Sequence, residues 1–239
     1  VIGTGIGTDN VEIALVEAFI AHEFNLKDNT RKSDCPPMTF IRLGTSGGVH
    51  PDIAPDTLAI SSYALGLDNT GLYYDEAPVD EIVERIEIKA KQILTDAALK
   101  DSRFRGKIIP YASKASTEIT EALAKQAAKQ NVKFEVGITV SSPGFYGPSS
   151  RFIEGLKYTF PDIKGSLSKL EVDGLRVLNM EMESSLFFHL CGQMGYRAGT
   201  ICTVISASTS SDDVVDYDAA IGSTIMIGLK TLVDLNKVS

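Results

Sequence analysis

Three short stretches carry side chains whose types and spacing could hold an anion, a planar ring and a sugar diol. In Phe40-Ile41-Arg42-Leu43-Gly44-Thr45-Ser46-Gly47-Gly48 an apolar run delivers an arginine and is followed by small residues. A guanidinium offers paired planar donors, and glycines beside hydroxyls let an oxyanion approach backbone N–H groups, so this is a credible phosphate cradle. The plainer alternative is an arginine paired with a surface acid ahead of a simple glycine turn. In Phe145-Tyr146-Gly147-Pro148-Ser149-Ser150-Arg151 two aromatics offer a stacking face, and Ser149 and Arg151 offer hydrogen bonds to a planar heterocycle. The alternative has Phe145 plugging the core and Arg151 in solvent. In residues 177–185 an apolar run ends in Glu181 and Glu183, where a strand meets a helix. Acids there complement the positive helix end. They also lie at the carboxyl edge of a sheet, where open α/β folds bind ligands. A carboxylate in that position can accept two hydrogen bonds from vicinal hydroxyls. Anion donors, an aromatic shelf with polar edges and an acid for a diol together match a nucleoside plus inorganic phosphate.

The elements that must position these residues follow from periodicity. Gly3-Thr4-Gly5-Ile6-Gly7, with Asp9 as a cap, precedes an amphipathic helix carrying Val11, Leu15 and Phe19. The spacing is GxGxG rather than the dinucleotide GxGxxG, so the glycines read as a tight turn shaping a pocket wall. Residues 25–37 are a polar surface loop. Strands are predicted over 38–43, 57–64, 107–112, 133–140 and 197–207, and a long loop over 67–78. The alternation of Phe134, Val136, Ile138 and Val140 is the clearest strand pattern. Helices are predicted over 80–99, 117–131 and 216–236, and 156–173 is a weak helix broken by Pro161 and Gly165. Strands alternating with helices give a single α/β domain over 1–239, with a mixed, mainly parallel central sheet flanked by helices.

Bulk properties narrow the partners. With 239 residues, 44% hydrophobic and 23% charged, the chain can build a sizeable core. A net charge of −8 argues against a general nucleic-acid or anionic-membrane binder. No apolar stretch approaches the ~20 residues of a membrane span, and no signal peptide is visible. Cys35, Cys191 and Cys202 cannot form a disulfide framework and lack metal-ligand spacing, so a cytoplasmic location and no metal are expected. His22, His50 and His189 receive no catalytic role. The chain starts at Val1 in what reads as a strand end, so an N-terminal strand and loop are expected to be missing from it.

Gly5-Ile6-Gly7, Ile41-Arg42-Leu43-Gly44-Thr45-Ser46-Gly47, the segment 145–151 and Met180-Glu181-Met182-Glu183-Ser184 occur in that order. On these motifs nearly the whole chain resembles the nucleoside phosphorylases of the uridine phosphorylase and hexameric purine phosphorylase type, uridine phosphorylases most. The resemblance implies reversible phosphorolysis of a nucleoside to free base and ribose 1-phosphate, with catalysis by Arg42, Thr45 and Glu183. Arg42, Gly44 and Thr45 would bind phosphate. Thr45, Met182 and Glu183 would hold the ribose, and Phe145, Ser149, Arg151 and Ile205 the base, with Glu181 structural or secondary. The implied partners are nucleoside and inorganic phosphate, with no cofactor, and a homodimer or hexamer sharing sites between subunits.

The chain departs from the family in several places. Uridine phosphorylases carry a glutamine at the position of Ser149 and an arginine near Ser208. The purine branch carries an aspartate in the region of Ile205-Ser206-Ala207, which has none here. The family's Gly-Asp-Pro segment with its phosphate arginine, a second phosphate arginine and a ribose-contacting histidine would lie upstream of Val1. Two alternatives follow: a nucleosidase of the same fold, against which Arg42 beside Thr45 speaks, and a non-catalytic nucleoside-binding or storage relative, which the departures favour.

Overall fold

Strands that alternate or run continuously apolar need cover on one face or both, and here helices supply it. The computed structural model describes residues 1–75, 79–207 and 216–237, so Ser208 lies outside the described residues. In chain order the elements are α1 (Thr8–Glu23), a hairpin of β1 (Phe24–Asn25) and β2 (Thr30–Arg31), β3 (Thr39–Gly48) and β4 (Leu58–Gly66). A 3₁₀ turn (Gly71–Tyr73), α2 (Glu81–Ala97), β5 (Tyr111–Lys114), α3 (Thr117–Lys129) and β6 (Phe134–Ser141) come next. The chain continues with α4 (Ile163–Leu167), β7 (Glu171–Val172), β8 (Leu175–Glu181), α5 (Ser184–Gln193), β9 (Arg197–Ser206) and α6 (Tyr217–Asn236).

The fold is a mixed α/β one. β3 runs parallel to β9, β4 to β6 and β6 to β8. β9 is antiparallel to β4, as are β5 to β4 and β7 to β8. Gly47 and Gly48 at the end of β3 pair antiparallel with Met180 and Asn179 of β8. That contact returns the order β3-β9-β4-β6-β8 to β3, so the sheet closes like a barrel and parallel pairs do not dominate it. A register shift between Ser46 and Gly47 bends β3 toward this closure. A Cβ at Gly48 would sit 3.2 Å from the Ile53 carbonyl, so glycine permits the approach.

Several expected boundaries move. The strand expected to end at residue 43 runs on through 44–48 as part of β3, because β9 pairs with it as far as Gly47. The strand expected over 107–112 is β5, shifted to where Ser113 and Lys114 pair with β4. The 3₁₀ turn falls in the expected 67–78 loop, and part of the expected 25–37 loop is strand, Asn25 of β1 pairing with Thr30 of β2. Of the weak helix over 156–173 only α4 forms, with Asp162 accepting from Gly165 N at 2.8 Å, and β7 follows it. Asp9 does not cap α1; the helix starts earlier, from Gly7.

Helix α5 is buried along residues 184–191, wedged between the sheet and α1. Leu186, Phe187, Phe188, Leu190 and Cys191 supply its apolar contacts, and Ser184, Ser185 and His189 are buried with them. On another face Val83, Ile86, Ala90 and Leu94 of α2 meet Leu65, Ile138 and Val140. On a third, Ile119 and Leu123 of α3 and Ile227 of α6 cover Leu58, Ile60 and Ile201. These layers hold the mouth of the barrel, where the site lies.

Candidate functional site

β8 ends at Glu181 and α5 starts at Ser184, so the two acids fall on either side of a sharp change of direction. Glu181 turns back onto the helix start. It accepts from Ser141 Oγ at 2.5 Å, Glu183 N at 3.1 Å and Ser184 N at 3.0 Å. Glu183, the residue before the helix, does not cap it. Its carboxylate accepts from Gly7 N at 2.7 Å and Met182 N at 3.2 Å.

Arg42 joins the two acids. Its Nη1 lies 2.9 Å from Glu181 and donates to Cys202 Sγ at 3.1 Å, while Nη2 donates to Glu183. Burial opposes the charge on Arg42, but Glu181 and then Cys202 and Glu183 raise its pKa, so it stays protonated. For Glu183 burial is the main influence and raises its pKa; Glu181 adds to this, and Arg42 and the Gly7 N–H oppose it. Burial pushes the Cys202 thiol up to about 12, leaving a neutral acceptor beside Arg42.

The segment after β6 forms the other end. Arg151 folds over Phe145, its guanidinium carbon 4.0 Å from the ring centre, a cation–π arrangement. Arg151 N returns to Tyr146 O at 2.9 Å, which closes the loop. Phe145 is 54% exposed, so it does not plug the core. Ser149 Oγ points to Met180 Sδ at 3.9 Å.

Arg42, Gly44, Thr45, Phe145, Ser149, Arg151, Met182, Glu183 and Ile205 all line one cavity of about 930 Å³. The structure therefore brings together every site residue expected from the sequence. It also adds some that the sequence did not suggest. Gly7 donates its N–H to Glu183, from the glycine turn whose wall-shaping role was expected but whose partner was not. Lys164 of α4 and Ser206 of β9 line the cavity too. Lys164 belongs to no motif and sits in a stretch of weak periodicity, so nothing local marked it. Among the described residues no helix is long and apolar enough to cross a membrane.

Comparison with known proteins gives the same picture. The family model described as "Phosphorylase superfamily" matches residues 1–225. The chain is 28% identical over 174 residues to a uridine phosphorylase of Haemophilus influenzae, covering 73% of this chain and 56% of that protein. It is 29% identical over 177 residues to a uridine phosphorylase of Thermococcus kodakarensis, covering 73% of this chain and 50% of that protein. The chain thus spans about half the length of these relatives. A crystal structure of a Trypanosoma brucei nucleoside phosphorylase, described as showing uridine phosphorylase activity, superposes with a TM-score of 0.82 at 27% identity. That match covers 97% of this chain and 79% of the other. With the family match spanning nearly the full length and the cavity assembled from the same motifs, the chain belongs to the phosphorylase superfamily.

Proposed function

We propose that this chain carries the active site of a nucleoside phosphorylase that cleaves uridine or a related nucleoside reversibly to free base and ribose 1-phosphate. One observation carries this reading: Arg42, from the phosphate-type segment, bonds to Glu183, from the diol-type segment, inside a cavity that Phe145 and Arg151 also line. Phosphate held by Arg42, Thr45 and the Gly44 backbone would lie beneath the sugar. There its negative charge stabilises the oxocarbenium-like ribose before it attacks. Glu183, supported by Met182, would accept from the ribose hydroxyls and align sugar with phosphate, a positioning contribution. Phe145 would stack on the base, with Arg151, Ser149 and Ile205 at its edge. No step calls for a cofactor beyond inorganic phosphate. A cytoplasmic homodimer or hexamer with shared sites belongs to the same proposal.

The test is release of uracil from uridine by the purified protein, with and without phosphate. Strict dependence on phosphate is expected; equal release without it overturns phosphorolysis and makes the protein a nucleosidase. A second reading, nucleoside binding without turnover, is favoured by Arg42, whose donors already go to Glu181, Glu183 and Cys202. Uridine binding by calorimetry with no product under any condition would establish that reading.

A further inference from the structure

Charge is divided unevenly along the cavity. At the ribose end one guanidinium, Arg42, faces two carboxyl groups, Glu181 and Glu183. At the base end are two cations, Arg151 and Lys164, close enough that Arg151 helps lower the Lys164 pKa after burial, the larger cause. Among the described residues neither makes an ion pair. The acid nearest Lys164 in sequence, Asp162, caps α4 and makes no ion pair with Lys164; its charge raises the Lys164 pKa, but less than burial and Arg151 lower it. Lys164 reaches the cavity wall where β3 and β9 end. A Cβ on Gly47 would lie 3.5 Å from Lys164 Nζ and 3.2 Å from Ser206 Oγ, so the missing side chain opens a space that the ammonium and the hydroxyl both border. A half-buried ammonium without an ion-pair partner is costly, and an anion arriving in that space would relieve the cost.

We propose that Lys164 is a catalytic residue at the leaving-group end, donating a hydrogen bond to a carbonyl oxygen of a pyrimidine base and stabilising the charge that gathers there. This inference rests on the phosphorolysis reading above. As the glycosidic C–N bond breaks, both its electrons pass to the base and spread onto the carbonyl oxygens. A phosphate oxygen forms the new bond to the sugar carbon. The proton of hydrogen phosphate ends on the base nitrogen, so Lys164 remains an ammonium throughout. A fixed donor aimed at a developing oxyanion is the kind of contribution that lowers a barrier most. It also supplies an edge contact that Ser149, with its short side chain, does not extend far enough to make.

The experiment compares Lys164→Met and Lys164→Arg with the unmodified protein on uridine and on 5-nitrouridine, whose base leaves readily as a stable anion. Uracil affinity is measured by calorimetry and the phosphate KM by kinetics. For Lys164→Met the expected loss in kcat/KM is at least about tenfold on uridine and under about threefold on 5-nitrouridine. Uracil affinity falls, the phosphate KM is unchanged, and Lys164→Arg recovers most of the uridine rate. A purely structural lysine would lower both substrates alike, so equal losses, or none, overturn the proposal. A raised phosphate KM with unchanged uracil affinity assigns Lys164 to the anion instead and also overturns it. If the unmodified protein binds uracil without turning over uridine, phosphorolysis fails separately, and the uracil affinity of Lys164→Met alone decides whether Lys164 contacts the base.

Discussion

Glu181 and Glu183 stand two residues apart and end in different environments, because β8 stops between the core and the first turn of α5. Both line the cavity and pair with Arg42, but Glu181 also collects N–H and O–H donors from the helix start and Ser141, whereas Glu183 accepts from the Gly7 N–H. Glu183→Gln is expected to lower kcat/KM for nucleoside at least about tenfold, since a hydrogen bond to a charged group contributes roughly 1.5–3 kcal/mol. A steady-state rate equal to the parent would leave Glu183 without a part in catalysis. The same substitution has a pH signature in stability. The pKa of Glu183 is raised in the fold above its ordinary 4.5, chiefly by burial, so its contribution is fully present below 4.5 and is lost as pH rises through the folded value. Glutamine does not ionise. Urea melts of Glu183→Gln are therefore expected to gain on the parent as pH rises from about 4 toward neutrality, and a gap that closes instead would contradict the raised pKa. Both acids were legible in the sequence, but their division of labour depends on Gly7 and Arg42, which lie 176 and 141 residues away from Glu183.

At the scale of elements, α1 begins from a glycine that no other residue replaces cheaply. Gly7 has φ 95 and ψ 161, a region essentially confined to glycine, and its N–H is the one that binds Glu183. Gly7→Ala is expected to cost about 1–3 kcal/mol of stability from this strain. It is also expected to raise the nucleoside KM, because the carboxylate loses its backbone anchor. A variant that melts earlier but keeps the parental KM would separate the turn from the site. The GxGxG run suggested a wall-shaping turn, and the turn proves to be a donor as well. Helix α4 is the opposite case. Pro161, Gly165 and a five-residue length left too little periodicity to mark it, yet it carries Lys164 to the cavity. Strand β6 was visible because its apolar residues alternate in sequence, although burial in the sheet does not follow that alternation: Gly137 to Ser141 are all buried and Val136 is exposed. Strand β5 was misplaced because its position is set by pairing with β4 rather than by its own pattern.

For the molecule as a whole, closure of the sheet is what turns separate motifs into one cavity. Inside the barrel, Ser61 Oγ meets Thr139 Oγ1 at 2.6 Å, and Thr139 donates to Asn179 Oδ1 at 2.8 Å. Asn179 Nδ2 donates to Ser46 Oγ at 2.8 Å, linking β8 to the bulged end of β3. Asn179→Ala leaves buried hydroxyls with fewer partners and is expected to cost about 1–3 kcal/mol. Urea unfolding should show this as a lower midpoint with an unchanged slope. A changed slope would mean that the chain link governs compactness rather than stability alone. By itself the sequence determined the α/β class, the helices with strong apolar stripes and the residue types of the site, since periodicity and side-chain chemistry are local properties. Only the tertiary structure decided that the sheet closes, that Gly44 to Gly48 are strand, and that Arg42 sits between Glu181 and Glu183. Those outcomes depend on strand pairing and on which charges share a buried space, and neither is encoded within any single stretch of the chain.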